Sequence, residues 1–259
     1  MDRDMLTKKQ RWRIADLMAE DRLHIINATC EVVKVKDTFY TRYAKRALDV
    51  VFSFVALLVT LPINFALGVI TYFDVGRPIF FRQERAGKDG KSFYIVKFRN
   101  MTNAKDERGE LLPPAQRVTA FGKFVRKTSL DELLNFWNVL KGDMSIIGPR
   151  PLVPEYVHRY NARHRQRLSV RPGLECPPRD LSHGVWTWQE QFENDVWYAE
   201  HVSFATDCKM LFQLFRFAFN RKNADARATA ERGTFMGYDL QGKAITMKDV
   251  PQEYIDRVA

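Results

Sequence analysis

The sequence predicts an α+β fold that is mainly helical: a re-entrant membrane helix–break–helix plus a small cytoplasmic domain with interfacial amphipathic helices. Three observations predict it. One apolar run, Val50–Ile70, is long enough to reach into a bilayer yet has Pro62 near its centre. Basic residues flank that run on both sides. Beyond it, strand-like and helical stretches alternate around glycine and proline turns.

Residues 1–43 read as a polar N-terminal extension, with helical spacing over Lys8–Leu23 and a strand-like run at Glu31–Val35. The re-entrant segment occupies 44–73. An apolar run of roughly 20 residues matches the hydrocarbon thickness of a bilayer. Pro62 clashes with the carbonyl four residues back, that of Leu58, and leaves it unpaired; Thr60 is placed to help satisfy it. Arg42, Lys45 and Arg46 precede the run, while Arg77, Arg82, Arg85 and Lys88 follow it. Positive flanks favour the cytoplasmic side, so both ends claim one face. The arm Val50–Leu61 would then be about 18 Å long, roughly one leaflet deep. A kinked spanning helix and a buried core helix are the competing readings.

Residues 74–222 read as the folded domain. Pro78–Phe81 and Phe93–Val96 are strands joined by the Gly87–Gly90 turn. Asn103–Arg117 is a charged loop with some helix, and Thr119–Leu140 returns to helical spacing. Met144–Val153 holds Gly148-Pro149-Arg150-Pro151, whose prolines forbid helix and set a rigid turn. Val185–Phe219 reads largely as helix. There Met210, Leu211, Leu214, Phe215, Phe217 and Phe219 alternate with Lys209 and Arg216, and Arg221 and Lys222 follow, which suits a helix lying in the lipid interface. A core-packed surface helix has the same periodicity. Residues 223–259 read as a polar C-terminal tail.

Composition limits what such a chain can do. Its 259 residues carry 41 Lys and Arg against 31 Asp and Glu, a net charge of +10, with 46% apolar and 13% aromatic residues. That apolar share excludes wholesale disorder, and the length allows one sizeable core with appendages. Cys30, Cys176 and Cys208 are odd in number and far apart, which argues against a disulfide framework or a CxxC zinc site. The positive balance points to an anionic partner: nucleic acid, anionic lipid or phosphorylated substrates. No nucleic-acid reader motif is present, which sets the first aside.

The candidate chemistry concentrates at Thr128–Leu134. Ser129, followed three residues later by Glu132 ahead of an apolar run, fits a helix capping box, and that reading needs no catalysis. It leaves Asp131 unexplained. A carboxylate in the first turn sits in the positive field of the helix N-terminus, which lowers its pKa and also attracts phosphate. A nucleophilic carboxylate and a phosphoryl group would meet there. Asp131 and Glu132 lie about 100° apart around a helix, which favours different roles for the two. Lys97, Arg99, Arg126, Lys127, Lys141 and Arg150 supply cations on both sides. For most of the lysines a solvated surface charge is explanation enough. Arg150 differs, because Pro149 and Pro151 frame it and a guanidinium grips phosphate oxygens through two parallel hydrogen bonds.

Taken in order, Lys45-Arg46-Ala47-Leu48-Asp49, Lys97-Phe98-Arg99-Asn100-Met101, Ser129-Leu130-Asp131-Glu132-Leu133, Gly142-Asp143-Met144-Ser145, Gly148-Pro149-Arg150-Pro151 and Val170-Arg171-Pro172-Gly173 form a recognisable series. Together they resemble the bacterial sugar transferase family, the monotopic polyprenyl-phosphate phosphoglycosyl transferases. The likeness spans Arg42 to Phe219, and several motifs in sequence are far more specific than one. It implies a magnesium-dependent enzyme of the cytoplasmic (inner) membrane, with its catalytic domain on the cytoplasmic face. Such an enzyme moves a sugar 1-phosphate from a nucleotide-diphosphate sugar to polyprenyl (undecaprenyl) phosphate, starting surface glycan, exopolysaccharide or lipopolysaccharide assembly.

Carried over by position, Asp131 is the nucleophile of a covalent phosphosugar intermediate and Glu132 a base or orienting group, both beside Mg2+. Lys97, Arg99, Arg126 and Arg150, with the framing Pro149 and Pro151, hold phosphates, and Pro62 is the membrane bend. The implied partners are the nucleotide sugar, polyprenyl phosphate and membrane lipid; a homodimer is left open. Two places depart from the family pattern. Leu174-Glu175-Cys176-Pro177-Pro178 follows Gly173 where a Thr-Gly-Trp-Ala-Gln-like stretch is usual, and Leu61 precedes Pro62 where serine is usual. The first departure bears on donor selectivity and admits an alternative: a catalytically altered relative that binds polyprenyl phosphate or scaffolds a glycan-assembly complex.

Overall fold

The computed structural model describes residues 3, 6–107, 109–177, 187–219 and 233–258. Along them run α1 (Lys8–Asn27), α2 (Lys45–Val75), β1 (Phe80–Ala86), β2 (Ser92–Phe98), α3 (Pro114–Arg117), α4 (Ala120–Thr128) and α5 (Asn135–Lys141). Then come β3 (Ser145–Ile147), β4 (Gly173–Glu175), α6 (Trp188–Glu200), α7 (Phe204–Phe219), β5 (Phe235–Tyr238), β6 (Ala244–Thr246) and α8 (Gln252–Asp256). Helix dominates, and the described strands pair two by two as β1–β2, β3–β4 and β5–β6. The mainly helical α+β class is as expected from sequence.

A π-helical turn, Tyr40–Ala44, leads into α2, which continues through Pro62 as one helix, where the sequence predicts a break; the proline removes one backbone hydrogen bond from a helix of 31 residues and does not end it. Thr60 does not reach the freed Leu58 carbonyl. Its hydroxyl donates to Ala56 O at 2.7 Å and accepts from Asn64 Nδ2 at 3.1 Å, so the polar groups around the proline pair along one face. The middle of α2 is bare: Val51, Phe52, Phe54, Val55, Leu58, Val59, Leu61, Ile63 and Phe65 are all exposed. Its two ends are anchored. At the start, Arg46 donates to the carbonyls of Val139 and Leu140, and buried Asp49 accepts from Ser145 Oγ and Ile146 N–H, both at 3.0 Å. At the end, Leu67 packs with Phe98 and Val125, and Asp74 accepts from Thr119 Oγ1.

The β1–β2 hairpin pairs Phe80 with Phe98 through Ala86 with Ser92. After it, the expected helix over Thr119–Leu140 is split. Thr119 caps α4 by accepting the Gly122 N–H, and Ser129 ends it in the left-handed conformation at φ 56°. A short 3-10 turn, Leu130–Glu132, follows, and then α5. Ser129 therefore makes no capping box: its side chain forms no cap hydrogen bond.

The Gly-Pro-Arg-Pro and Arg-Pro-Gly motifs meet in the parallel pair β3–β4, where Ser145 faces Gly173 and Ile147 faces Glu175. Here the glycines are obligatory. A Cβ on Gly173 would lie 2.1 Å from the Gly148 nitrogen, and one on Gly148 2.6 Å from the Arg171 carbonyl oxygen. On α7, Met210 is buried with Tyr198 and Val202, while Phe204 and Phe212 are exposed, so the helix packs on one face and leaves aromatic surface on another. Arg221 and Lys222 lie outside the described residues.

The stretches read as a polar extension and a polar tail carry a core of their own. Thr7 caps α1 in a capping box with Gln10, and Ile14, Ala15, Leu17 and Met18 of α1 pack against Met236, Ile245, Tyr254 and Ile255. Each end alone is too short and too polar to read as a buried face; paired, they exclude water. Glu31–Val35, expected as a strand, pairs with nothing in the sheets and is mostly exposed.

Candidate active site

The site is assembled from the hairpin, the turn after α4 and the β3–β4 pair. Strand β2 delivers Lys97, whose Nζ donates to Glu132 Oε1 at 2.6 Å. The rigid loop after β3 delivers Arg150, whose Nη2 donates to the same oxygen at 2.6 Å. Glu132 thus sits between two cations. Burial pushes its carboxyl up, but Arg150 and Lys97 prevail and hold it at about 2. Pro149 and Pro151 are both buried, as a fixed frame requires. The frame is pinned from beneath as well: Arg167 Nη2 donates to the Arg150 carbonyl at 2.8 Å and to Asp195 Oδ2 at 2.7 Å.

Asp131 is built differently. It is only 6% exposed, and among the described residues its side-chain partner is Asn100, whose Nδ2 donates to Oδ2 at 3.2 Å. Asn100 is itself oriented by Arg126, whose Nε donates to Asn100 Oδ1 at 3.0 Å. Burial raises the pKa of Asp131, against the opposing pull of Lys97, with Glu132 adding to the rise. This reverses the sequence expectation of a lowered pKa. The two-peptide 3-10 turn offers little dipole, and desolvation outweighs it.

The fold brings Lys97, Arg126, Asp131, Glu132 and Arg150 together, Arg126 acting through Asn100. It does not bring Arg99 there. Its guanidinium donates to the carbonyls of Val75 and, at 3.1 Å, of Arg77, closing the C-terminal end of α2. Alternation explains the miss, since residues 97 and 99 of one extended run share a face only while the strand lasts, and β2 ends at Phe98. Sequence reasoning missed Asn100, Arg167 and Asp195 as supports. It flagged Glu175 only as a departure, and Glu175 Oε2 accepts from Arg150 Nη1 at 3.2 Å.

Among the described residues no three His, Cys, Asp or Glu side chains converge as a metal cage. Magnesium, however, is commonly held by one or two carboxylates plus substrate phosphates. Asp131 fits that role, being a buried carboxylate with no cation hydrogen-bonded to it among the described residues. Glu132 Oε1 is instead taken by Lys97 and Arg150.

The family model for the bacterial sugar transferases matches residues 40–221, which takes in α2, both carboxylates of Asp131-Glu132 and the β3–β4 pair. The chain belongs to the bacterial sugar transferase family. Among curated members of that family, the uncharacterised sugar transferase EpsL of Bacillus subtilis is 37% identical over 195 residues, covering 74% of this chain and 96% of EpsL. The undecaprenyl-phosphate galactose phosphotransferase of Salmonella typhimurium is 33% identical over 211 residues, covering 71% of this chain and 42% of its own length. The UDP-glucose:undecaprenyl-phosphate glucose-1-phosphate transferase of Xanthomonas campestris is 37% identical over 146 residues, 54% of this chain and 30% of that protein. The chain therefore spans nearly all of one bacterial sugar transferase and less than half of the other two. The α1 core and the β5–β6 hairpin fall outside the matched family region.

Proposed function

We propose that this bacterial sugar transferase is a phosphoglycosyl transferase that moves a sugar 1-phosphate from a nucleotide-diphosphate sugar to polyprenyl phosphate, initiating surface glycan assembly. The observation that carries the reading is the contrast within Asp131-Glu132: a buried carboxylate without a cation of its own beside one clamped by Lys97 and Arg150. An ionised Asp131 oxygen attacks the sugar-bearing phosphorus of the donor. The P–O bond to the nucleoside monophosphate breaks, and that product leaves with the bonding pair. An oxygen of polyprenyl phosphate then attacks the same phosphorus and returns the Asp131 carboxylate. Glu132 holds Lys97 and Arg150 in place for the donor phosphates, and Asn100 orients Asp131. Magnesium, bound at Asp131 and the donor diphosphate, would neutralise charge developing on the leaving phosphate.

The decisive experiment is a screen of UDP-sugars with purified protein, undecaprenyl phosphate and magnesium, following UMP release. UMP release with at least one donor, lost on chelation with EDTA, is the expected result. No nucleoside monophosphate release with any UDP-sugar, nor with other nucleotide-diphosphate sugars added to the screen, would instead favour the catalytically altered relative, a reading to which Glu175 lends weight by occupying one side of Arg150.

The same proposal places the domain on the cytoplasmic face, held by a re-entrant α2. What supports re-entry is the pattern of contact: both ends of α2 are gripped by one folded body while its middle is bare. A straight rod of 31 residues, about 46 Å long, would lay its middle against the body that holds both ends. Single cysteines placed before Arg46 and after Arg77, in a background lacking Cys30 and Cys208, should label from the same side of sealed vesicles. Labelling from opposite sides would mean a spanning helix.

A further inference from the structure

Strand β1 carries a cation that the site described above leaves unused. Arg85 pairs across the hairpin with Phe93, as Gln83 does with Ile95 and Phe81 with Lys97. Directly opposed residues of an antiparallel pair share a face, so Arg85 stands on the face that presents Lys97 to Glu132. The end of the strand is tied to the Arg150 loop, because the Ala86 N–H donates to the Leu152 carbonyl at 2.8 Å. Arg85 Nη2 donates to Gln83 Oε1 at 2.7 Å, but its Nε is buried with no hydrogen-bond partner among the described residues. A buried guanidinium N–H without an acceptor is costly; Arg99 Nε and Arg159 Nη1 bear the same cost elsewhere, and what singles out Arg85 is its place on the Lys97 face of the hairpin.

Charge points the same way. Burial, then the neighbouring Arg150, make it harder for Arg85 to stay protonated, and the carboxylates that oppose them, Glu132 and Glu155, do not outweigh this. Glu132 is already shared between Lys97 and Arg150, and Glu175 is spent on Arg150. Arg85 thus shares the surroundings of Arg150 with no carboxylate hydrogen-bonded to it among the described residues, and an anion with several acceptor oxygens would supply what it lacks.

On the reading of a nucleotide-sugar site, we propose that Arg85 is a further donor-binding residue, its Nε–H and guanidinium edge gripping a diphosphate oxygen opposite Arg150. The alternating strand makes a built-in control, because Arg82 is exposed and points from the other face. The probe is UDP in magnesium buffer, with affinity read by calorimetry on the full-length protein in detergent. Arg85→Gln should weaken UDP binding roughly tenfold to a hundredfold, the range of one charge-assisted hydrogen bond. Arg82→Gln should bind like wild type. Arg85→Lys, which keeps the charge but not the fork, should fall between, and it decides the matter if a thermal melt finds Arg85→Gln unfolded. Wild-type UDP affinity in a folded Arg85→Gln or Arg85→Lys protein overturns the proposal. Arg150→Gln separates that failure from failure of the site itself. If it loses UDP while Arg85→Gln does not, only Arg85 is removed from the site; if neither loses UDP, the donor site is misplaced and Arg85 falls with it.

Discussion

Asp131→Asn should lose turnover by about 10^4-fold or more, the scale seen when a covalent nucleophile is removed, and should also melt at a higher temperature than the wild type at pH 7. The two effects share one cause. The carboxyl of Asp131 is buried, with an amide rather than a cation as its hydrogen-bond partner, and its pKa is raised. A raised acid pKa means that the folded state binds the proton more tightly than the unfolded chain. The ionised form therefore costs stability at every pH above the folded pKa, and that cost disappears as pH falls below the ordinary aspartate value of about 3.9. Asparagine removes the charge while keeping the size and the partnership with Asn100. The melting advantage of Asp131→Asn should accordingly shrink as the pH is lowered, while its catalytic defect should not. The same shift sets the acid limb of the wild-type rate profile above the ordinary aspartate range. Glu132, held near 2, contributes nothing to that limb. A variant that turns over normally, or that melts lower than wild type at pH 7, would remove the nucleophile assignment or the account of its environment.

The sequence exposed this site because its residues lie in short, rigid, chemically loaded segments. Gly148-Pro149-Arg150-Pro151 can adopt few conformations, and Gly148 and Gly173 are each required by a backbone approach that no side chain permits. The hairpin was legible for a similar reason, since two apolar alternations flank one glycine turn. What was not legible came from contacts distant in the chain. The α1 stripe finds its cover more than 200 residues later, and neither piece announces itself by periodicity. Ser129 was misread because a capping-box pattern specifies spacing, whereas the left-handed turn at φ 56° depends on how α4 packs. Arg99 was misplaced because sequence proximity to Lys97 says nothing about where a strand stops. Asp131 was given the wrong pKa direction because burial is a property of the assembled fold and outweighs a local dipole.

Arg167→Met should destabilise the fold by about 3–5 kcal/mol, because it leaves a buried charge behind. Arg167 and Asp195 are 1% and 2% exposed, joined by two hydrogen bonds from the guanidinium to Asp195 Oδ2 at 3.0 and 2.7 Å. Burial presses the Asp195 carboxyl upward, and Arg167 is the main force opposing it. With methionine in place of Arg167, Asp195 must either stay charged without a cation beside it or take up a proton, and both cost stability at neutral pH. Arg167→Met combined with Asp195→Leu should recover much of that loss, since apolar groups of similar volume replace a buried ion pair at little net cost. Urea unfolding in detergent, followed by tryptophan fluorescence, measures all three proteins. The double variant should nonetheless remain a poor enzyme. Arg167 also donates to the carbonyl of Arg150 and, at 3.2 Å, to the hydroxyl of Tyr160, and neither contact survives the repacking. The loop that presents Arg150 would then keep its prolines and the backbone bonds at Gly148, Pro149 and Leu152 but lose its tie to the Arg150 carbonyl from beneath, and a guanidinium held less firmly loses its fixed aim at a phosphate. A double variant with restored stability and full activity would mean that the proline frame suffices to position Arg150, and that the buried pair beneath it serves the fold only.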